Sequence, residues 1–360
     1  IPSLTSHELP EKTPMIPLST ASLKTESWQQ QLADGYASIG ELLNDLDLSA
    51  HFNPAMEEAA KSFPFRVPRY FAALMRKGDP NDPLLLQVLP VAAELRHAPG
   101  FVKDPLQDEA AHQGNGILHK YQGRVLLVAT GACAINCRYC FRRHFPYAGR
   151  QAVKNEWQPA LEQLRQDTSI REVILSGGDP LMLGNNRLKA LIEALEEIPH
   201  IRRLRIHSRL PVVLPARLDA GFSQILNSTT LATSLVIHAN HPRELTPVLA
   251  HALTPLREAG ITLLNQSVLL KRVNDEVRTQ VSLNESLYEM GILPYYLHQL
   301  DPVQGAAHFA VDDQSALRLH QGMERRLPGY LLPRLVREIA GAPSKQTLLG
   351  SQNRKKLISG

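Results

Sequence analysis

From Arg124 onward the chain is punctuated by short apolar runs. RVLLVAT (124–130), REVILSG (171–177), IRRLRIHS (201–208), ATSLVIHAN (232–240), ITLLNQSVLL (261–270) and ILPYYLHQL (292–300) have the length and side-chain types of strands. Between them the period changes: NNRLKALIEALEEI places Leu188, Leu191, Ile192 and Leu195 at i, i+3, i+4 and i+7, one face of a helix. Six strands alternating with helical segments predict a parallel α/β sheet. Periodicity leaves open whether it is doubly wound or barrel-like, but in both cases ligands gather at the C-terminal ends of the strands. The chain before these runs has a different texture. SWQQQLADGYASIGELLNDL has helical periodicity, and Pro64, Pro68, Pro80, Pro83 and Pro90 interrupt the stretch after it, so residues 15–110 are expected to form a mainly helical region.

The segment CAINCRYCFRRHF (133–145) follows the first of these runs and contains Cys133, Cys137 and Cys140, the only three cysteines of the chain. An odd number at such short spacing suits metal ligation rather than a disulfide, and points to a reducing cytoplasm. The spacing admits two readings: a zinc site with His144 as fourth ligand, or a [4Fe–4S] cluster with three thiolate-bound irons and an open fourth. SGGDPL (176–181) ends the second run. Gly177 and Gly178 permit close backbone approach to a ligand and Asp179 supplies an anion, although the same residues also make an ordinary turn. In the third run Arg205, His207 and Arg209 alternate and so share one face. Facing inward, they suit a pocket for anionic cofactors; facing outward, a solvated edge.

Composition changes this picture little. With 43% hydrophobic and 21% charged residues the chain reads as soluble and globular, and 360 residues favour a main domain with a smaller one. A net charge of +4 fits an anionic cofactor without indicating nucleic acid. No apolar run approaches the ~18 residues of a membrane span, and no charged-then-apolar export signal opens the chain. Residue 1 is Ile while Met15 opens MIPLSTASL, so residues 1–14 are expected to be a vector-derived leader outside the fold.

Taken together, GILHKYQGRVLLVATGACAINCRYCFRRHF, SGGDPL, HSRLPVVLP, LLNQSVLLKRVND and PYYLHQLD resemble the lysine 2,3-aminomutase family of the radical S-adenosylmethionine (SAM) superfamily, over about residues 97–345. The resemblance implies a radical SAM partial (β/α)6 barrel over 111–345, a helical N-terminal extension over 15–110 and a tail at 346–360. It implies a [4Fe–4S] cluster on Cys133, Cys137 and Cys140. SAM would lie near Tyr139, Gly177, Gly178 and Asp179, the last facing its amino group. Pyridoxal phosphate (PLP) would be anchored on Lys345 in GAPSK, where relatives acting on free lysine have a glycine run in place of Ala-Pro-Ser. Lys120, Tyr121 and Arg124 match positions around the PLP phosphate, and Arg209 is a further cofactor-site residue.

For the substrate, the resemblance implies L-lysine. Arg142 would grip its carboxylate, and Asp275 and Glu338 would pair its distal ammonium. Glu338 stands where free-lysine mutases have Asp, and two retained acids favour lysine over glutamate. The absence of further cysteines and the 15 residues after Lys345 resemble the short bacterial enzyme that makes (R)-β-lysine for elongation factor P. That implies a flavodoxin or ferredoxin as electron donor and a functional link to the elongation factor P ligase, with no nucleic-acid contact. Two rivals stand beside this reading: a mutase of the same chemistry acting on another amino acid such as glutamate, and a zinc-stabilised binding protein.

Overall fold

The structure is a computed structural model and describes residues 26–147 and 157–348; the expectations for residues 1–14 and for the tail beyond Leu348 lie outside the described residues. Nine strands form one sheet in chain order: β1 Ile117–Tyr121, β2 Arg124–Thr130, β3 Glu172–Gly177, β4 Arg203–Ser208, β5 Ala232–Ile237, β6 Thr262–Val268, β7 Leu293–His298, β8 Arg334–Arg337 and β9 Gln346–Thr347. β2 to β8 run parallel, and the outer pairs β1–β2 and β8–β9 are antiparallel. The six apolar runs are β2 to β7. The strand before the cysteines is therefore the second of the sheet, behind a short hairpin.

Burial along the strands alternates as a sheet covered on both faces requires. In β3, Val173 and Leu175 are buried in the outer core while Glu172, Ile174 and Ser176 face inward; in β4, Leu204 and Ile206 pack outward while Arg205 and His207 face inward. Leu126, Ile174, Arg205 and Ser234 are register partners across β2 to β5, and all four line a single cavity. Residues from β1 through β8 line that same cavity, so the sheet curls around it. The curl is a partial barrel. Its ends meet through side chains, with Lys120 Nζ of β1 lying 3.2 Å from Glu338 Oε1, just past β8.

The N-terminal region is helical up to Ala111 among the described residues, and begins with helices Trp28–Ala33 and Ile39–Asp45. What the sequence pattern reads as one segment is two helices, because Ser27 and Ser38 each cap a new start and the chain turns between them. The apolar faces of these helices join the barrel's core cluster. One buried cation ties the region to the cysteine segment. Arg138, fully buried, donates through Nε and Nη2 to Glu94 at 2.8 and 2.6 Å and through Nη1 to the Phe63 carbonyl at 2.7 Å. Arg143 Nη2 reaches the same Glu94 carboxylate at 2.7 Å.

A single buried carboxylate thus serves two buried guanidiniums. Removing one partner of such a group leaves unpaired charge in the interior, which costs about 3–5 kcal/mol. Glu94→Gln is therefore expected to lower unfolding free energy by about that amount, read from urea denaturation of the purified protein. A loss below about 1 kcal/mol would show that the two arginines find other partners.

Candidate active site

The cavity inside the barrel has a volume of about 720 Å³, within the range of small-molecule and cofactor sites. Its lining includes the C-terminal ends of the parallel strands, where the segment after β2 brings in the cysteines. Cys133, Cys137 and Cys140 all line it and none forms a disulfide. Burial raises all three thiols, that of Cys140 to about 11, while Arg209 opposes the rise at Cys137. Arg209 Nη1 lies 3.0 Å from Cys137 Sγ.

The same guanidinium donates to the Tyr139 hydroxyl and, through Nη2, to Gln87 Oε1 at 2.8 Å, with Glu244 at 3.5 Å as its counter-ion. Asn240 Nδ2 also donates to the Tyr139 hydroxyl, at 2.6 Å. Tyr139 and Arg209 are therefore rigidly placed on the cavity wall beside the cysteines.

The two glycines expected to admit a ligand are required by the protein's own backbone. Gly177 has φ +119°, and a Cβ there would lie 2.6 Å from the Thr130 carbonyl oxygen; at Gly178 it would lie 2.4 Å from that of Ala132. Gly178 N–H and Asp179 N–H donate to those same carbonyls at 2.8 Å each, stitching the end of β3 to the start of the cysteine segment. Gly177, Gly178 and Asp179 all line the cavity, and both Asp179 oxygens are also engaged by the protein. They accept from Ser208 Oγ (2.6 Å), Leu181 N (3.0 Å), Arg209 N (2.9 Å) and Leu210 N (2.9 Å). Four donors fill a carboxylate's usual capacity, so Asp179 fixes the ends of β3 and β4 relative to each other.

On the side where the sheet's two ends meet, charges alternate. Arg142 Nε donates to Asp108 Oδ2 at 2.6 Å; Asp108 pairs with Lys120; Lys120 pairs with Glu338; and Glu338 Oε2 accepts from Lys345 Nζ at 2.5 Å. Tyr121 also hydrogen-bonds Glu338, and Arg124 lies over the Tyr121 ring at 4.8 Å. Burial works against the Glu338 charge, but Lys345 and Lys120 outweigh it and hold the carboxyl down at about 2. Asp301, also lining the cavity, has the opposite balance: burial and then the nearby Glu338 push it up to about 7.

Of the substrate-site residues expected from sequence, Arg142 and Glu338 reach the cavity and Asp275 does not. β6 ends at Val268, and the turn that follows sends Asn274 inward, where its amide bonds the Asn240 and Val268 carbonyls. The next side chain, Asp275, points to a separate surface recess and accepts from Arg272 N at 2.8 Å. Besides Glu338, the acids lining the cavity are Glu172, Asp179 and Asp301; Glu172 pairs with Arg205 and Asp179 is filled by its four donors, which leaves Asp301, just past the end of β7, with an unpartnered oxygen. Asp301 follows PYYLHQL directly, at the strand end where ligand-binding groups collect, and that position was the available signal. Asp108 had none, being one acid in a four-residue helix, Asp108–Ala111.

The cavity also contains buried polar atoms without protein partners: Nε2 of His207, His238 and His298, and Oδ1 of Asp301. Such orphaned atoms, together with an inner wall of cations, fit bound polar cofactors. The thiols fit a cluster in the same way. Among the described residues no three His, Cys, Asp or Glu side chains are gathered to hold one metal ion, and His144 Nε2 lies 3.1 Å from the Gln304 carbonyl. A cluster instead takes its thiolates on three separate irons.

Comparison with known proteins places this geometry. The radical SAM superfamily profile matches residues 127–280. An Escherichia coli K12 protein named L-lysine 2,3-aminomutase is 48% identical over 335 residues, covering 93% of this chain and 97% of that one. The chain belongs to the L-lysine 2,3-aminomutase family. A Haemophilus influenzae protein of the same name is 45% identical, covering 92% and 98%. The Clostridium subterminale enzyme of that name is 33% identical, covering 92% of this chain and 80% of its own length. Among solved structures, Streptococcus suis SuiB bound to S-adenosylmethionine superposes with a TM-score of 0.46 at 15% identity, covering 61% of this chain and 51% of that one. As a member of this family the chain is a radical SAM isomerase, with a [4Fe–4S] cluster and SAM as its cofactors. No helix among the described residues is long and apolar enough to cross a membrane.

The buried histidines make stability pH-dependent. Burial, followed by Arg209 at His238 and Lys345 at His298, holds both rings down at about 3, against about 6.5 in an unfolded chain. Each is neutral when folded and takes up a proton on unfolding, so stability is full above about pH 6.5 and is lost as pH falls toward 3. The melting temperature of the cofactor-free protein should fall steadily from pH 7 to pH 5, and less steeply in His298→Gln. A profile that is flat over that interval would contradict this placement of the rings.

Proposed function

We propose that this chain interconverts L-lysine and β-lysine by a radical 2,3-migration of the amino group, with PLP as a second organic cofactor. The observation that carries the reading is the charge array: Arg142, Lys120, Lys345, Glu338 and Asp301 on one cavity with the three cysteines. The reduced cluster and SAM supply a carbon radical that takes a hydrogen from the substrate, and PLP carries the migrating nitrogen while bound; the protein's part is to hold, orient and exclude water.

Cys133, Cys137 and Cys140 would hold the cluster, and Tyr139 and Arg209 frame it. Lys345 lines the cavity beside the β8 end and would anchor PLP, with the Glu338 carboxylate at 2.5 Å pairing its ammonium. Tyr121 and Arg124, on the inner wall at the base of β1 and β2, suit a phosphate, and Arg205 on β4 adds a cation to that wall. Arg142 has an Nη2 with no acceptor among the described residues, an open edge for the substrate's carboxylate.

The distal ammonium falls to Asp301 and Glu338. A cation arriving beside Asp301 favours its ionised form, so the site supplies a negative charge when lysine enters. A glutamate side chain would meet two acids there, which disfavours it by like-charge repulsion.

The higher identity to the Escherichia coli relative, 48% against 33% for the clostridial one, supports assigning the product as (R)-β-lysine for attachment to elongation factor P by a separate ligase in the cytoplasm. A reduced flavodoxin or ferredoxin would supply the electron. Loss of the β-lysyl mass from elongation factor P in a strain lacking this gene tests that assignment; an unchanged mass overturns it.

The reaction itself is tested by anaerobic reconstitution with iron and sulfide, followed by SAM, PLP, dithionite and L-lysine. β-Lysine should appear by chromatography, and Lys345→Ala should lose both product and the visible absorbance of bound PLP. Product formation undiminished without PLP would refute the second cofactor. Asp301 gives a pH signature as well. With its carboxyl at about 7, lysine affinity should be full above that pH and weaken about tenfold between pH 8 and pH 6. Asp301→Asn should raise KM at pH 8 and remove that dependence; a KM that still varies tenfold would assign the titration to another group.

A further inference from the structure

Arg142 must present a carboxylate-binding edge in a fixed direction, and its own backbone does not fix it. The residue lies in the irregular segment after the cysteines, and an arginine side chain has several free rotations. Three contacts remove them. Phe141 lies under the guanidinium, with Cζ 4.7 Å from the ring centroid. Ser176 Oγ, on β3, meets Nη1 at 3.3 Å. The strongest is Asp108 Oδ2 on Nε at 2.6 Å, a charge-assisted bond between a side chain 9% exposed and one 2% exposed.

Asp108 is itself held from the other side. Its second oxygen pairs with Lys120, and its backbone N–H, with that of Glu109, is capped by the Asp104 carboxylate at 2.9 and 3.1 Å. The carboxylate therefore stands between two cations and cannot swing away without leaving both.

We propose that Asp108 is a positioning residue for substrate recognition: by occupying Nε of Arg142 it turns the Nη1–Nη2 edge toward the cavity for the α-carboxylate. This rests on the reading of Arg142 as carboxylate anchor. Without Asp108 the guanidinium is free to rotate toward Glu338, whose field it already feels.

The test is Asp108→Asn in the fully reconstituted enzyme, with L-lysine as substrate and L-lysinamide, which has no carboxylate, as competitive inhibitor. KM for lysine should rise about tenfold or more, the scale of a lost bond to a charged group. Turnover should change by less than about threefold, and lysinamide inhibition by less than about twofold. Asp108→Glu, which keeps the charge on a longer arm, should recover part of the KM, and it provides the measurement if the Asn variant does not fold. A folded, iron-loaded Asn variant with wild-type KM overturns the proposal. So does equal weakening of lysine and lysinamide, which would mean that Asp108 only closes the seam. Arg142→Lys, assayed alongside, separates the two readings: if it leaves KM unchanged, the carboxylate anchor itself is misassigned; if it raises KM while Asp108→Asn does not, only the role of Asp108 fails.

Discussion

Among the described residues the barrel has no backbone ladder between its first strand and its last parallel one. An alternating series of charges closes that gap: Arg142, Asp108, Lys120, Glu338 and Lys345. Buried charges persist only when paired, and here each anion sits between two cations. The series joins elements far apart in sequence, with Arg142 from the cysteine segment, Asp108 and Lys120 from the start of the sheet, and Glu338 and Lys345 from its end. The groups that shut the seam are also the groups proposed to hold substrate and PLP. Closing the fold and shaping the site are thus one electrostatic arrangement.

A second arrangement supports the cysteines from behind. Gly177 and Gly178 let the end of β3 lie against the Thr130 and Ala132 carbonyls, and Asp179 ties β3 to β4. On the opposite side, Arg138 and Arg143 fasten the segment to Glu94 of the helical extension. The extension therefore acts on the site as a clamp on the cysteine segment as well as a cover for the barrel's core.

The parts of this structure written plainly in the sequence are those in which burial imposes a pattern. β2 to β7 stand out because their outward residues pack under helices, and the helix carrying Leu188, Leu191, Ile192 and Leu195 shows its period for the same reason. β1, β8 and β9 are hidden: ILHKY and RLVR carry inward-facing or edge charges, and Gln346–Thr347 is too short for a pattern. The cysteines were legible from spacing alone, and Arg142, Glu338 and Lys345 through resemblance. Asp275 lies outside the cavity because the turn after β6 buries Asn274 against backbone carbonyls and points the next side chain into a surface recess. Asp301 and Asp108 depend on how separate elements meet, which no local window contains.

The proposed substrate demands a cavity charge-matched to an amino acid with one carboxylate and a distal cation. Initial rates of the reconstituted enzyme with L-lysine, L-norleucine and L-glutamate decide this, since the three differ at the distal end. The expected result is efficient turnover of lysine, a kcat/KM at least about 100-fold lower for norleucine, and no β-amino product from glutamate. Comparable turnover of glutamate would contradict the assignment of Glu338 and Asp301 to an ammonium, and with it the proposed substrate.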